Sequence, residues 1–382
     1  MNVLITHPSA ELYGSDRMAL LALRALVKQG HAVTAVVPED GPLLGKMRAS
    51  RANVIVADIP VLRKADLRPL GFLRLLWRVA ASQFRIARIV RSVNPDVLYV
   101  NTIVQPWWIA GAKFQRRRVV VHVREAEGQL RHVLKTIINA PLMLADIIIC
   151  NSQSTKREIT SILPMSRKQI LVVYNGKDWS EYQSRQSVRS SCDATTPVRL
   201  TVVGRLSPRK GQDIAVQALA EIISTGADAT LTLVGGVFPG YEWYEQDLKE
   251  TAAKLDLADR VKFVGFQEDI RTVLAQTDIA IVPSRIEPFG TVAAECMAAG
   301  LLTIVADVQG LAEIVENGNT GLTFSADDHS ALARSCIWAM THPEESKNLA
   351  LRGQHDVSER FSLDRYEREV VDALESVERV NV

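Results

Sequence analysis

The feature that most constrains this chain is an alternation. Short runs of β-branched and apolar residues recur, and most are followed by a turn and a stretch of helical spacing. In the first half the runs cover residues 3–6, 32–37, 54–59, 97–100, 119–123, 147–150 and 170–173, with helical patterns at 15–29, 70–92, 130–144 and 153–163. In the second half they cover 198–203, 230–234, 261–264, 279–282 and 302–305. Such runs are continuous rather than alternating in polarity, as strands buried on both faces are. Strand, turn, helix, repeated, gives an α/β fold with a parallel sheet covered by helices.

The polar stretch 179–197, rich in Ser, Thr and Arg and closed by Pro197, reads as a linker. The expected organisation is two doubly wound, Rossmann-like domains, at 1–180 and 198–360. Residues 361–382 form a last segment whose helix, near 363–377, returns to the first domain. Doubly wound sheets place ligands at the carboxyl ends of their strands. If those ends face each other, the active site lies in a crevice between the domains.

The length of 382 residues suits two domains, and 47% hydrophobic with 23% charged residues excludes wholesale disorder. Four scattered cysteines, Cys150, Cys192, Cys296 and Cys336, form neither a metal spacing nor a disulfide framework, which fits a reducing compartment. The N-terminus does not read as a signal peptide, and no apolar run approaches the ~20 residues of a membrane span. A cytoplasmic protein is expected, peripheral on the inner face of the cell membrane if it docks there. The net charge of +2 conceals an asymmetry: residues 1–190 carry +15 and residues 191–382 carry −13. That split points to a polyanionic partner for the first half.

The most informative segment runs from Ser284 to Gly300 and contains Glu287, Phe289, Gly290, Thr291, Val292 and Glu295. A helix opening near Gly290, at the end of strand 279–282, directs the free N–H groups of Gly290, Thr291 and Val292 outward. With the helix dipole they suit a pyrophosphate. Glu287 before the helix and Glu295 within it flank that position with two acceptor-only carboxylates, one for ribose hydroxyls and one for sugar hydroxyls. Diol, phosphates and sugar together make a nucleotide-sugar. The same residues also read as a plain helix start with two solvated glutamates. A second strand end, at Gly204, Arg205 and Lys210 to Gly211, supplies two cations that stabilise a departing nucleoside diphosphate. Taken alone it also reads as a basic surface turn. No Asp-x-Asp pair and no metal-spaced cluster occurs, so no metal and no other cofactor is expected.

These segments resemble the retaining glycosyltransferases of family four, the Glu-x7-Glu or group 1 glycosyltransferases with the two-domain GT-B fold. The matching residues are Glu287 with Glu295, Gly204-Arg205 with Lys210-Gly211, the pair Gly235-Gly236, Gly265-Phe266, and the run Gly310-Leu311-Ala312-Glu313-Ile314-Val315. The resemblance implies that Arg205 and Lys210 bind the diphosphate, Glu295 the ribose and Glu287 the donor sugar. It places the strand end 265–267, with Phe266 and Gln267, by the base. It also implies a hexosyltransferase retaining anomeric configuration by a front-face route, in which the leaving phosphate helps deprotonate the acceptor.

On the acceptor side, Gly14 follows the first strand, where the family carries a glycine-bearing loop near the donor phosphates. This chain has one glycine there, and a helix cap explains it equally well. His122 sits at the end of strand 119–123, where the resemblance implies a histidine touching the donor sugar or acceptor hydroxyl. Asn151-Ser152 and Asn175-Gly176 also end strands and match family positions, but read equally as turns. Residues 63–91 hold eight basic residues (Arg63, Lys64, Arg68, Arg74, Arg78, Arg85, Arg88 and Arg91) among Leu, Phe and Trp77, a pattern suited to an anionic membrane face or to an ordinary solvated helix. Membrane docking suits a glycan or lipid-linked acceptor in cell-envelope polysaccharide or glycolipid synthesis. The alternatives are a nucleotide-sugar epimerase of the same fold or a non-enzymatic binder of polyanions. Nucleic acid is not expected as a partner, because the basic half lacks a recognisable reading motif.

Overall fold

Two all-parallel sheets organise the chain. The computed structural model describes residues 1–62, 69–125, 132–164, 169–183, 196–237 and 240–377. The first sheet contains β1 (Asn2–Thr6), β2 (Ala32–Val37), β3 (Asn53–Val56), β4 (Val97–Asn101), β5 (Arg118–Val123), β6 (Ile147–Cys150) and β7 (Gln169–Val172), in the order 3-2-1-4-5-6-7. The second contains β8 (Val198–Val203), β9 (Ala229–Val234), β10 (Val261–Gly265), β11 (Ile279–Val282), β12 (Leu302–Ala306) and β13 (Leu322–Phe324), in the order 10-9-8-11-12-13. Each order reverses direction beside its first strand, the doubly wound signature. Both sheets are therefore Rossmann-like, with the strand order running outward from the middle in each.

The strands form where the apolar runs predict them, because residues such as Val3, Ile5, Val120 and Ile149 on one face and Leu4, Val119, Val121 and Ile148 on the other are all buried. Two differences have simple causes. The run expected at 54–59 pairs only to Val56, and Ile59 leaves the ladder to pack in the core. The three-residue β13 is too short to carry a periodic signal.

The chain divides into two units. The first comprises Met1–Gly176 with Leu363–Val382, and the second Lys177–Ser362. The last helix, Leu363–Ser376, packs on the first, Gly14–Lys28, burying Tyr366, Val370, Val371 and Leu374 in the core around β1 and β2. Part of the stretch expected to be a linker is ordered on the second unit. Trp179 is buried with its indole N–H donating to Phe361 O at 2.8 Å, and Ser180–Gln183 form a helical turn. The rest of that stretch, 184–195, lies outside the described residues, as do Arg63, Lys64, Arg68 and Cys192. Cys150, Cys296 and Cys336 are buried free thiols. Among the described residues no helix is long and apolar enough to cross a membrane.

Candidate functional site

In the second unit the carboxyl ends of β8, β9 and β11 come together. Gly204 and Gly235 follow β8 and β9, and Gly204 N–H donates to Val234 O at 2.8 Å. A Cβ on Gly235 would lie 2.1 Å from Gly204 O, at φ +150, so only glycine lets the two strand ends approach. The chain then passes Arg205, turns at Pro208–Lys210 and enters the helix Gln212–Ser224. After β11, the segment through Glu287 and Phe289 leads to Gly290, which caps the helix Thr291–Ala298 at φ 112. A Cβ at Gly290 would strike Leu311 Cδ2 at 2.6 Å. The first amide bonded inside this helix is that of Ala293, to Gly290 O at 2.9 Å, so the amides of Gly290, Thr291 and Val292 stand at its positive end.

Two lysine–carboxylate pairs flank that helix start. Lys210 Nζ lies 2.5 Å from Glu287 Oε2, which also accepts from Ser284 Oγ at 3.1 Å. The backbone of Glu287 is held as well: its N–H donates to Gln309 Oε1 at 2.9 Å, and its carbonyl accepts from Gly310 N at 3.0 Å. Lys177 Nζ lies 2.6 Å from Glu295 Oε1, which also accepts from Tyr182 OH at 3.1 Å. Lys177 donates to Tyr182 OH too, at 2.6 Å. The side chains of both pairs retain 13–26% of their exposure, so they are held by their partners and still reachable from solvent.

A third charged group braces the site. Arg285 forms a bidentate pair with Asp213, at 2.9 and 2.7 Å, and donates to Pro208 O at 2.7 Å. It ties the turn that carries Lys210 to the segment that carries Glu287. Burial works to raise the Asp213 carboxyl, but hydrogen bonds from Arg285 and Tyr244 outweigh it and hold the group below its ordinary value.

The structure thus brings together Gly204, Arg205, Lys210, Gly235, Glu287, Gly290, Thr291, Val292 and Glu295. Phe289 is different: its ring is 3% exposed and packs edge-on against Phe361, so its side chain belongs to the core. Phe266 is exposed beyond β10, and Gln267 Nε2 donates to Val264 O at 3.3 Å. The sequence reading missed Lys177, Tyr182 and the Asp213–Arg285 brace. Each partner lies 70 or more residues from the group it holds, and nothing local signals the pairing.

In the first unit the strand ends carry a hydrogen-bonded network instead. Arg124, beyond β5, donates to Asn101 Oδ1 at 2.8 Å, Asn175 Oδ1 at 2.7 Å, Tyr366 OH at 3.0 Å and His122 Nδ1 at 3.1 Å. Asn101 Nδ2 donates to His7 Nδ1 at 2.8 Å, so His7 presents its Nε2–H to Asp16 Oδ1 at 2.6 Å. Asp16 Oδ2 in turn accepts from Tyr13 N at 2.7 Å, fixing the start of the first helix. A Cβ at Gly14 would meet nothing within 4 Å, so no neighbour requires glycine there.

His122 is wholly buried on β5, paired with Asn101 and Ile149. Arg124 can only donate, so Nδ1 accepts from it and from Tyr99 OH at 2.7 Å. The proton therefore sits on Nε2, which has no hydrogen-bond partner among the described residues. Burial first, and the Arg124 charge second, push His122 well below its ordinary pKa. It is a neutral donor rather than a base. Among the described residues no group of three or more His, Cys, Asp or Glu is placed to hold a metal ion.

Comparison with known proteins gives this geometry a family. The model for glycosyl transferases group 1 matches residues 185–356, and that for glycosyltransferase family 4 matches residues 13–180. The glycogen synthase of Mycobacterium tuberculosis is 30% identical over 284 residues, 71% of this chain and 66% of that protein. The N-acetyl-alpha-D-glucosaminyl L-malate synthase of Bacillus anthracis is 29% identical over 60% of this chain and 59% of its own length. The chain thus spans under two thirds of these curated relatives. Among solved structures, Anabaena HepE in complex with UDP superposes with a TM-score of 0.82 at 23% identity, covering 98% of this chain and all of that one. A glycosyltransferase from Rickettsia africae gives 0.81 at 18% identity, with 99% of each chain covered. These likenesses show the GT-B fold, and the two family matches together run through nearly the whole sequence, so the chain belongs to the group 1 glycosyltransferases.

Proposed function

We propose that the protein transfers a hexose from a nucleoside-diphosphate sugar to a glycan or lipid-linked acceptor, retaining anomeric configuration and needing no metal. The observation that carries this reading is the pair of lysine–carboxylate contacts on either side of the Gly290 helix start. An incoming diphosphate meets the amides of Gly290, Thr291 and Val292 and the cations Arg205 and Lys210. Lys210 then exchanges Glu287 for phosphate oxygen, freeing that carboxylate to accept from the sugar hydroxyls. Glu295 keeps one oxygen on Lys177 and Tyr182 and offers the other to the ribose diol. As the glycosidic bond breaks, charge grows on the departing phosphate, and Arg205 and Lys210 stabilise it more than the ground state. That is the task a divalent cation performs elsewhere.

HepE is also solved with UDP-glucose, which supports a uridine donor here. His122 enters as a hydrogen-bond donor toward the sugar, because its Nε2–H has no partner among the described residues, and its enclosure means that neighbouring groups must move for the contact to form. Gly14 and the exposed Phe266 and Gln267 complete the proposed contacts, to phosphate and base.

The test is a thermal-shift series with UDP-, GDP-, ADP- and dTDP-sugars, followed by donor turnover with and without candidate acceptors. Stabilisation by one nucleotide and acceptor-dependent turnover unaffected by a chelator is expected. Acceptor-free release of an isomerised donor sugar would replace transfer by epimerisation.

A further inference from the structure

The helix Pro69–Val93 is apolar on two opposite sides. One side is the ordinary core face: Leu75, Ser82, Ile86 and Val90 are buried, at spacings that return to one stripe. The other is left uncovered by the described residues. Trp77 and Phe84 lie seven residues apart, two turns on one stripe about 10 Å long. They are 74% and 85% exposed, with the exposed Ala80 and Ala81 between them. Beside this helix packs Trp107–Phe114, with Gly111 facing Ile86, and its last residue, Phe114, is 93% exposed. Large aromatic side chains this exposed mark an interaction surface when they share one face.

Charge names the occupant. Along its 25 residues the helix holds Arg74, Arg78, Arg85, Arg88 and Arg91 and no Asp or Glu. Arg78 and Arg85 lean on Asp58, whereas Arg74, Arg88 and Arg91 have no ion pair among the described residues. A second copy docking through this face by two-fold symmetry would set arginine against arginine. A polyanionic surface neutralises all of them while the aromatic rings enter its apolar boundary.

We propose that this face docks the first unit onto an anionic phospholipid bilayer, with Trp77 and Phe84 inserted between headgroups and Arg74, Arg88 and Arg91 on lipid phosphates. The inference gives the expected membrane partner a defined face. It does not depend on the donor site, so either reading can fail without the other.

The experiment is co-sedimentation of the full chain with phosphatidylcholine vesicles, with and without phosphatidylglycerol. The chain is expected to pellet only with anionic vesicles, and less as salt rises. Arg74→Gln, Arg88→Gln and Arg91→Gln combined should weaken binding about a hundredfold, at about fivefold per arginine. Trp77→Ser with Phe84→Ser should weaken it at least tenfold. These side chains are exposed, so an unchanged melting temperature without ligand serves as the control that both variants remain folded. Wild-type protein left in the supernatant at low salt, or a serine variant that binds like wild type, overturns the proposal. So does a wild-type dimer in sedimentation velocity that the serine variant abolishes, which would assign the face to a second copy.

Discussion

The two units share one strand plan yet furnish their strand ends in different ways. In the second unit the ends carry lysine–carboxylate pairs, Lys210 with Glu287 and Lys177 with Glu295, partly open to solvent. In the first, a buried cation, Arg124, is locked among neutral groups, with His122, Asn101, Asn175 and Tyr366 all spending hydrogen-bonding capacity on it. The difference teaches that topology supplies a place for ligands but not their chemistry. Partly open pairs suit a diphosphate that arrives and leaves. A satisfied network suits a frame that holds its shape.

If that contrast is sound, the largest single effect falls on the frame. Arg124→Met strands buried acceptors and should cost about 3 kcal/mol or more of stability. A thermal scan should then show melting lowered by roughly 6–12 °C. A shift under two degrees would mean the network is ornamental. Next comes turnover: Lys210→Ala should lower donor turnover about a hundredfold, with stability nearly kept. Equal losses in binding and turnover would instead make Lys210 a plain binding group. Glu295→Gln should weaken UDP binding about tenfold in titration calorimetry. Lys177→Met should follow it in the same direction, since Lys177 holds the carboxylate.

The smallest effect concerns acid. The Asp213 carboxyl is held below its ordinary value, so the stability it contributes is present above the unfolded pKa, near 4, and is lost as pH falls through the lower folded one. Asp213→Asn should therefore melt lower than wild type by about 1 kcal/mol at pH 6. The gap should close as pH falls below 4. A gap that stays constant with pH would deny the Asp213–Arg285 brace its electrostatic role.

What the sequence made legible was local. The apolar runs, the Gly290 helix start and the seven-residue spacing from Glu287 to Glu295 lie within single strand–turn–helix units, where period and capping chemistry act. What it hid was set by tertiary packing. Lys177 meets Glu295 across 118 residues of chain, and Arg285 meets Asp213 across 72. His122 read as a residue facing ligand because it nears a strand's carboxyl end. Whether it faces outward depends on Arg124, Tyr99 and Tyr366, which no local pattern announces. Phe289 lay within the most informative segment and still packed inward, because Phe361, far along the chain, offers its ring a partner.

The return of helix Leu363–Ser376 to the first unit has a consequence for synthesis on the ribosome. Tyr366, which bonds both Arg124 and Met18 O, emerges after the whole second unit has been translated. The first unit is thus completed only after the second, and its Arg124 waits for a hydroxyl supplied by helix Leu363–Ser376. A nascent chain stopped before residue 363 would carry a finished second unit attached to an unfinished first one.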